Sequence, residues 1–296
     1  MLTHTVPSPI APARVVILGA NGFVARALRL ELERAGIVTL ALGSADLDLT
    51  EAQAAGKLAA LLRPQDALVM TAALTPDKGK DLATLLKNLR MIEAVVAALA
   101  AQPCAHVVYF SSDAVYDDSV ALVDERTTAA PKDLYGLMHL TREIALQQAC
   151  LKPAIPLGVV RPSAIYGAGD THNSYGPNRF VRSALAEGRI RLFGQGEETR
   201  DHVAIADVVA LTSLVLRHRS AGVLNAVSGE AITFAALATQ ISQLAGRSVT
   251  IEPLPRGGPV THRRFDVTRR QRAFPTFRPT PLADGLASLL RETEKR

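Results

Sequence analysis

The chain has 296 residues, 48% hydrophobic and 21% charged, a composition of globular proteins with room for one large core or two smaller ones and none for dominant disorder. Two cysteines, Cys104 and Cys150, give no disulfide framework, no apolar run nears the length of a membrane span, and Met1 to Ala13 lacks a basic flank ahead of an apolar stretch. The expectation is a cytoplasmic protein with no membrane partner and no signal peptide. The net charge of +5 is uneven, −3 over residues 1–148 and +8 over residues 149–296, so the second half suits an anionic ligand. A solvated arginine-rich face is the plainer alternative. With no recognised module and no interleaving of aromatic and basic residues, nucleic acid is not expected as a partner.

In chain order, Arg14–Leu18 is a short apolar run ending in glycine, followed by helical spacing from Phe23 to Ala35 and a stop at Gly36. A second strand is predicted over Val38–Leu42, then a helical stretch to Leu62, a strand at Ala67–Met70 and a long helix from Asp81 to Ala100. A strand at Val107–Ser111, a helix carrying Tyr135 and a strand at Gly158–Arg161 complete the alternation. Strands alternating with helices predict an α/β fold, a doubly wound parallel sheet covered on both faces. After Pro162 the texture changes to loops rich in Gly, Asn and Pro, broken by a helix near Arg179–Glu187, so a domain change is expected there.

Gly19, Gly22 and Ala25 fall between the first strand and its helix, with Asn21 and Phe23 in the same turn. Small residues there let backbone approach a pyrophosphate, and the helix N-terminus offers unpaired N–H groups; alone, the pattern also suits a mere tight turn. An acid ending the second strand would bind the adenine ribose hydroxyls. Leu40-Ala-Leu-Gly43-Ser44 has none, and no arginine stands beside Ser44, so the expected cofactor is NAD(P), leaning slightly to NADP. Tyr135 and His139, at i and i+4, share one helix face, where a nearby cation can lower a phenol's pKa from about 10 toward neutrality. Histidine, with an ordinary pKa of about 6.5, is mostly neutral at pH 7. The seven histidines lack H-x-H or H-E-x-x-H spacing, so no metal is expected, and no G-x-S-x-G elbow or P-loop occurs.

Gly19-Ala-Asn-Gly22, Ser112-Asp-Ala-Val-Tyr116, Tyr135 with its four-residue step to His139, Arg161-Pro-Ser163 with Tyr166-Gly167, and Arg200-Asp with Asp207-Val together resemble the extended short-chain dehydrogenase/reductase family, NAD-dependent epimerase/dehydratase type. The likeness runs from about Val15 to Gly285. It departs at His139, where the family carries a lysine that both binds the nicotinamide ribose and favours tyrosinate. The resemblance implies a Rossmann dinucleotide-binding domain over residues 1–165 and a smaller, discontinuous substrate-binding region over 166–296, part of which returns to the sheet. Asp48 and Leu49 would contact adenine, with a helix cap as the equal alternative for Asp48, while Ala72 and Ala73 would line the pyrophosphate and ribose. Pro162 and Ser163 would lie under the nicotinamide.

By the same resemblance, Ser112 positions the reacting oxygen, Tyr135 carries the proton and His139 stands in for lysine; Asp113 neighbours the substrate. Asn178, Arg179, Arg200 and a late arginine, best matched by Arg264, would hold the substrate nucleotide. The implied activity is hydride transfer on a nucleotide-linked sugar, of epimerase or keto-sugar reductase type. Dehydration is the least expected variant, because only Asp113 stands before Ala114 where a dehydratase has an Asp-Glu pair. An oxidoreductase for a non-sugar carbonyl or alcohol, or a non-catalytic NAD(P) sensor or scaffold, stays open as the alternative. A homodimer built on a four-helix contact, using Asp81 to Ala100 and the tyrosine helix, is also implied.

Overall fold

Val15–Leu18, Ala67–Met70 and His106–Phe110 are buried at every position, as strands covered on both faces of a parallel sheet must be. The computed structural model describes residues 2–295. Its elements run β1 (Thr3–His4), β2 (Val15–Leu18), α1 (Phe23–Arg34), β3 (Thr39–Leu42), α2 (Ala54–Leu61), β4 (Ala67–Met70), α3 (Leu82–Ala101), β5 (His106–Phe110), β6 (Leu122–Val123), α4 (Leu134–Leu151) and β7 (Leu157–Pro162). The chain continues through β8 (Ala164–Tyr166), α5 (Pro177–Glu187), β9 (Arg189–Phe193), β10 (Thr199–Ala204), α6 (Ile205–Arg217), β11 (Ser220–Ala226), β12 (Ala231–Thr233), α7 (Phe234–Leu244), β13 (Thr250–Leu254), β14 (Arg264–Phe265), α8 (Thr268–Ala273) and α9 (Leu282–Glu294).

The large sheet has the order β1-β11-β7-β5-β4-β2-β3. All neighbours are parallel except β1, which lies antiparallel along the β11 edge. Side chains alternate across the pleat. Val16, Leu68 and Val107 face Leu58, Ile92 and Leu146 from α2, α3 and α4, while Val15, Val69 and Val108 face Leu28, Val208 and Val215 from α1 and α6. The expected doubly wound parallel sheet is thus present. Helix α6 and strand β11 follow the change of texture in the sequence, yet they belong to this sheet.

A second core gathers Phe180, Leu237 and Leu286 from α5, α7 and α9, over a small sheet ordered β12-β10-β8 and the pair β13-β9. Strand β10 links the two cores, because α6 leaves from its end. The edge strand β1 was not anticipated from the sequence; two residues carry too little pattern to announce a strand. Among the described residues no helix is long and apolar enough to cross a membrane.

Candidate active site

The carboxyl ends of β2, β3 and β4 open onto a crevice of about 330 Å³ lined by Gly19, Asn21, Gly22, Ser44, Asp48, Leu49, Ala72 and Ala73. Gly19 has φ +93°, and a Cβ there would come within 2.8 Å of the Ala72 backbone, so both conformation and clearance demand glycine. Gly22 caps α1 without any side-chain hydrogen bond, which leaves the first-turn N–H groups open to an anion. A second crevice of about 270 Å³ continues past Phe23 to Ser112, Tyr135, His139, Pro162 and Ser163. Every residue expected to hold the dinucleotide therefore borders one of two adjoining crevices at the strand ends, the position where such sheets bind ligands.

The second strand carries no carboxylate, but the chain turns back so that Asp46 Oδ2 accepts from the Gly43 N–H at 2.9 Å. Asp48 accepts from the Thr50 N–H and hydroxyl at 2.8 and 2.7 Å, bonds that hold its carboxyl below the usual range. It caps its own turn while bordering the crevice.

The tyrosine helix is fastened by polar contacts. Asp133 caps α4 by accepting from the Gly136 N–H at 2.7 Å. Gly136 leaves room for the Ala114 carbonyl, which a side chain would strike. Farther along α4, Glu143 accepts from Ser111 at 2.5 Å and pairs with Arg161 at 2.5 Å, both charges buried. Arg161 also donates to Tyr116 Oη at 2.9 Å, and that phenol donates to Asn225 at 2.8 Å. Arg161 and Tyr116, both in motifs that point to catalysis, thus serve to hold strand β7, the Ser112 turn and α4 in one place.

Within that frame, Ser112 caps the short 3-10 turn Asp113–Val115 by accepting from the Ala114 N–H at 3.1 Å. Tyr135 and His139 meet edge to face with centroids 4.6 Å apart. Burial pushes the Tyr135 phenol up to about 12, with Ser112 pulling downward, Asp113 upward and Arg142 downward. Burial, helped by the charge of Arg142, pushes His139 down to about 3. A neutral imidazole cannot supply the positive charge of a lysine.

A third space, about 470 Å³, adjoins Tyr135 and Ser112 and is bordered by Asp113, Asn178 and Tyr175. It leads into a groove of about 300 Å³ bearing Arg200, Arg263, Lys132 and the rings of Tyr175 and Phe234. Arg200 donates to the Thr261 carbonyl at 2.8 Å and hydroxyl at 2.6 Å. Asn178 donates to Asp170 at 2.8 Å and accepts from the Gly167 N–H at 3.1 Å, so it shapes the loop wall.

Two expected substrate residues lie elsewhere. Arg179 is exposed on α5 between the buried Asn178 and Phe180, because successive helical residues point about 100° apart. Arg264 is exposed where β14 pairs with β6. The late arginine of the groove is Arg263, buried, donating to the Asp113 carbonyl at 2.8 Å and to Asp118 at 2.6 Å. Adjacent residues of an extended segment face opposite ways, so a one-residue slip exchanges a groove residue for a surface one. Asp201 was also missed; it accepts from Ser163, Ser228 and Gly229 at 2.6 to 2.9 Å and ties β10 to the crevice floor.

An open, uncapped helix N-terminus beside a glycine that both conformation and clearance demand, at the carboxyl ends of parallel strands, marks a dinucleotide-binding α/β fold with a tyrosine at the crevice mouth. The sequence profile of the NAD dependent epimerase/dehydratase family matches residues 15–227, and the chain belongs to that family. Its fold is shared with MoeE5 in complex with UDP-glucose and NAD, at 25% identity and a TM-score of 0.79 over 95% of this chain and 99% of that one. RMD from Pseudomonas aeruginosa, complexed with NADPH, is 24% identical with a TM-score of 0.82 over 96% and 100% of the two chains. A UDP-N-acetylglucosamine 4-epimerase from Methanobrevibacter ruminantium M1 is 18% identical with a TM-score of 0.83 over 97% and 99%.

Proposed function

We propose that the chain is an NAD(P)-dependent oxidoreductase acting on a nucleotide-linked sugar, of epimerase or keto-sugar reductase type. The observation that carries this reading is the junction at Tyr135: the crevice bordered by Gly22 and His139 and the space leading to Arg200 and Arg263 share Ser112, Tyr135 and Ser163. A ring carbon held there would lie between a nicotinamide and the proton carrier, its nucleotide directed into the basic groove. A bound nicotinamide supplies the hydride acceptor or donor. Tyr135 as the phenol gives its proton to the carbonyl oxygen as hydride is added, and in the oxidative direction its phenolate takes the proton of the sugar hydroxyl. Ser112 holds that oxygen, and Arg200 with Arg263 holds the diphosphate, for which the planar guanidinium fork is suited.

At the adenosine end, Asp48 borders the crevice and its carboxylate would oppose a 2'-phosphate, which weighs against the slight lean to NADP and keeps the cofactor as NAD(P). The division into a dinucleotide domain over 1–165 and a substrate region over 166–296 goes with this reading, α6 and β11 being the part that returns to the sheet. Leu82 and Leu86 on α3 and Leu137, Ile144 and Leu151 on α4 are exposed, the last three at seven-residue spacing. They suit the face of a homodimer. The test is a titration with NADH and NADPH, followed by nicotinamide fluorescence, with and without a panel of nucleoside diphosphates. Dinucleotide binding strengthened by one nucleoside diphosphate supports the sugar reading. Binding indifferent to all of them favours the non-sugar oxidoreductase or the sensor, and no binding of either dinucleotide refutes the assignment.

A further inference from the structure

Arg142 lies on α4 three residues beyond His139 and seven beyond Tyr135, with 0% exposure. A guanidinium so deeply buried ordinarily faces a carboxylate, because an unpaired buried charge is costly. This one has only neutral acceptors among the described residues: the Ala72 carbonyl at 2.8 Å, the Asn88 carbonyl at 3.1 and 2.7 Å, Asn88 Oδ1 at 2.9 Å and Met91 Sδ at 3.5 Å. The neighbouring Glu143 is taken by Arg161. The ionisable groups that feel the Arg142 charge are the phenols of Tyr109 and Tyr135 and the imidazole of His139.

Tyr109, buried on β5, places its Oη 2.7 Å from His139 Nδ1. Among the described residues the phenol has no other hydrogen-bond partner, so its proton goes to His139, Nδ1 accepts and the ring's own proton sits on Nε2. That Nε2 is buried and has no partner, although His139 borders the crevice together with Ser111 and Tyr135. A buried donor without an acceptor costs stability and marks a place for a ligand.

We infer that Tyr109 is a positioning residue that presets His139 as a neutral Nε2–H donor for a hydroxyl of the dinucleotide, while Arg142, one turn farther along the same helix and without a carboxylate partner, supplies the permanent cation of the site. The two tasks of one lysine are thereby divided between two residues. This rests on the dinucleotide reading of the crevice.

The experiment is nitrogen NMR of the full chain with isotope-labelled histidine, the His139 signals assigned by their loss in His139→Gln, together with NADH titration of the same samples. The expected result is a bare Nδ1 and a protonated Nε2, unchanged between about pH 5 and pH 8. Tyr109→Phe, which keeps the ring and the packing, should mix the tautomers and weaken NADH binding roughly tenfold. The wild-type tautomer decides the matter should that variant not fold. A wild-type His139 with its proton on Nδ1, or a Tyr109→Phe variant with wild-type tautomer and affinity, overturns the inference. Failure of the wild type to bind either dinucleotide instead overturns the reading beneath it and removes the proposed hydroxyl, a result visible before any variant is made.

Discussion

The dinucleotide crevice and the arginine groove meet at Tyr135 but are made of different materials. The crevice is formed by clearance and backbone: Gly19 against Ala72, an uncapped helix start at Gly22, and strand ends set by a buried apolar sheet. The groove is formed by side chains already engaged with one another, Arg263 with Asp113 and Asp118, and Arg200 with Thr261. The crevice is therefore preformed, whereas a diphosphate in the groove must exchange one set of charge contacts for another. The contrast predicts that damage to the crevice is all-or-none, while damage to the groove is graded.

The largest effect is expected at the junction. Tyr135→Phe should lower turnover of a responding nucleotide sugar about 10²- to 10⁴-fold, with NADH affinity little changed; an equal loss in both would make Tyr135 a binding residue instead. In the crevice, Gly19→Ala forces a side chain into φ +93° against fixed backbone. It should cost about 1–3 kcal/mol of stability and weaken NADH binding with it, read by denaturant midpoint and fluorescence.

Acid should act on both halves. His139 in the crevice and His202 in the groove are pushed down to about 3, and His106 in the sheet to about 4, each chiefly by burial. Their folded pKa values lie below the unfolded value of about 6.5, so the unfolded chain binds more protons. Stability is then complete above that pH and falls as pH drops toward 4, by about 1.4 kcal/mol per pH unit for each imidazole. Urea midpoints measured on either side of this window check the slope, and a flat profile would mean that the imidazoles are solvated.

The groove sharpens the comparison with smaller effects. Arg200→Gln should weaken nucleoside diphosphate binding roughly tenfold and leave NADH affinity unaltered in a paired titration. Asp118→Asn removes an exposed carboxylate from Arg263 and should tighten the same ligand about twofold, since an exposed partner is worth under about 1 kcal/mol. Weaker binding would show that Asp118 orients the guanidinium.

Legibility followed the same divide. Residues in short strand-turn-helix units, such as Gly19, Ala72 and Tyr135, were readable because local spacing leaves the chain one way to fold. Arg264 was expected where the groove is bordered by Arg263, because no periodic element leads into that loop, and one residue of slip reverses a side chain. Arg142 was legible in principle as the next turn of the tyrosine face. Without its neighbours it reads as one more surface cation.

By itself the sequence determined the alternating α/β order, the glycine turn and the shared helix face of Tyr135 and His139, all governed by contacts within a few residues. Only the tertiary structure decided that Arg263 enters the groove, and that Tyr109 and Arg142 converge behind His139. These depend on segments far apart in the chain, whose charges and hydrogen bonds acquire their strength from burial that no single stretch of sequence provides.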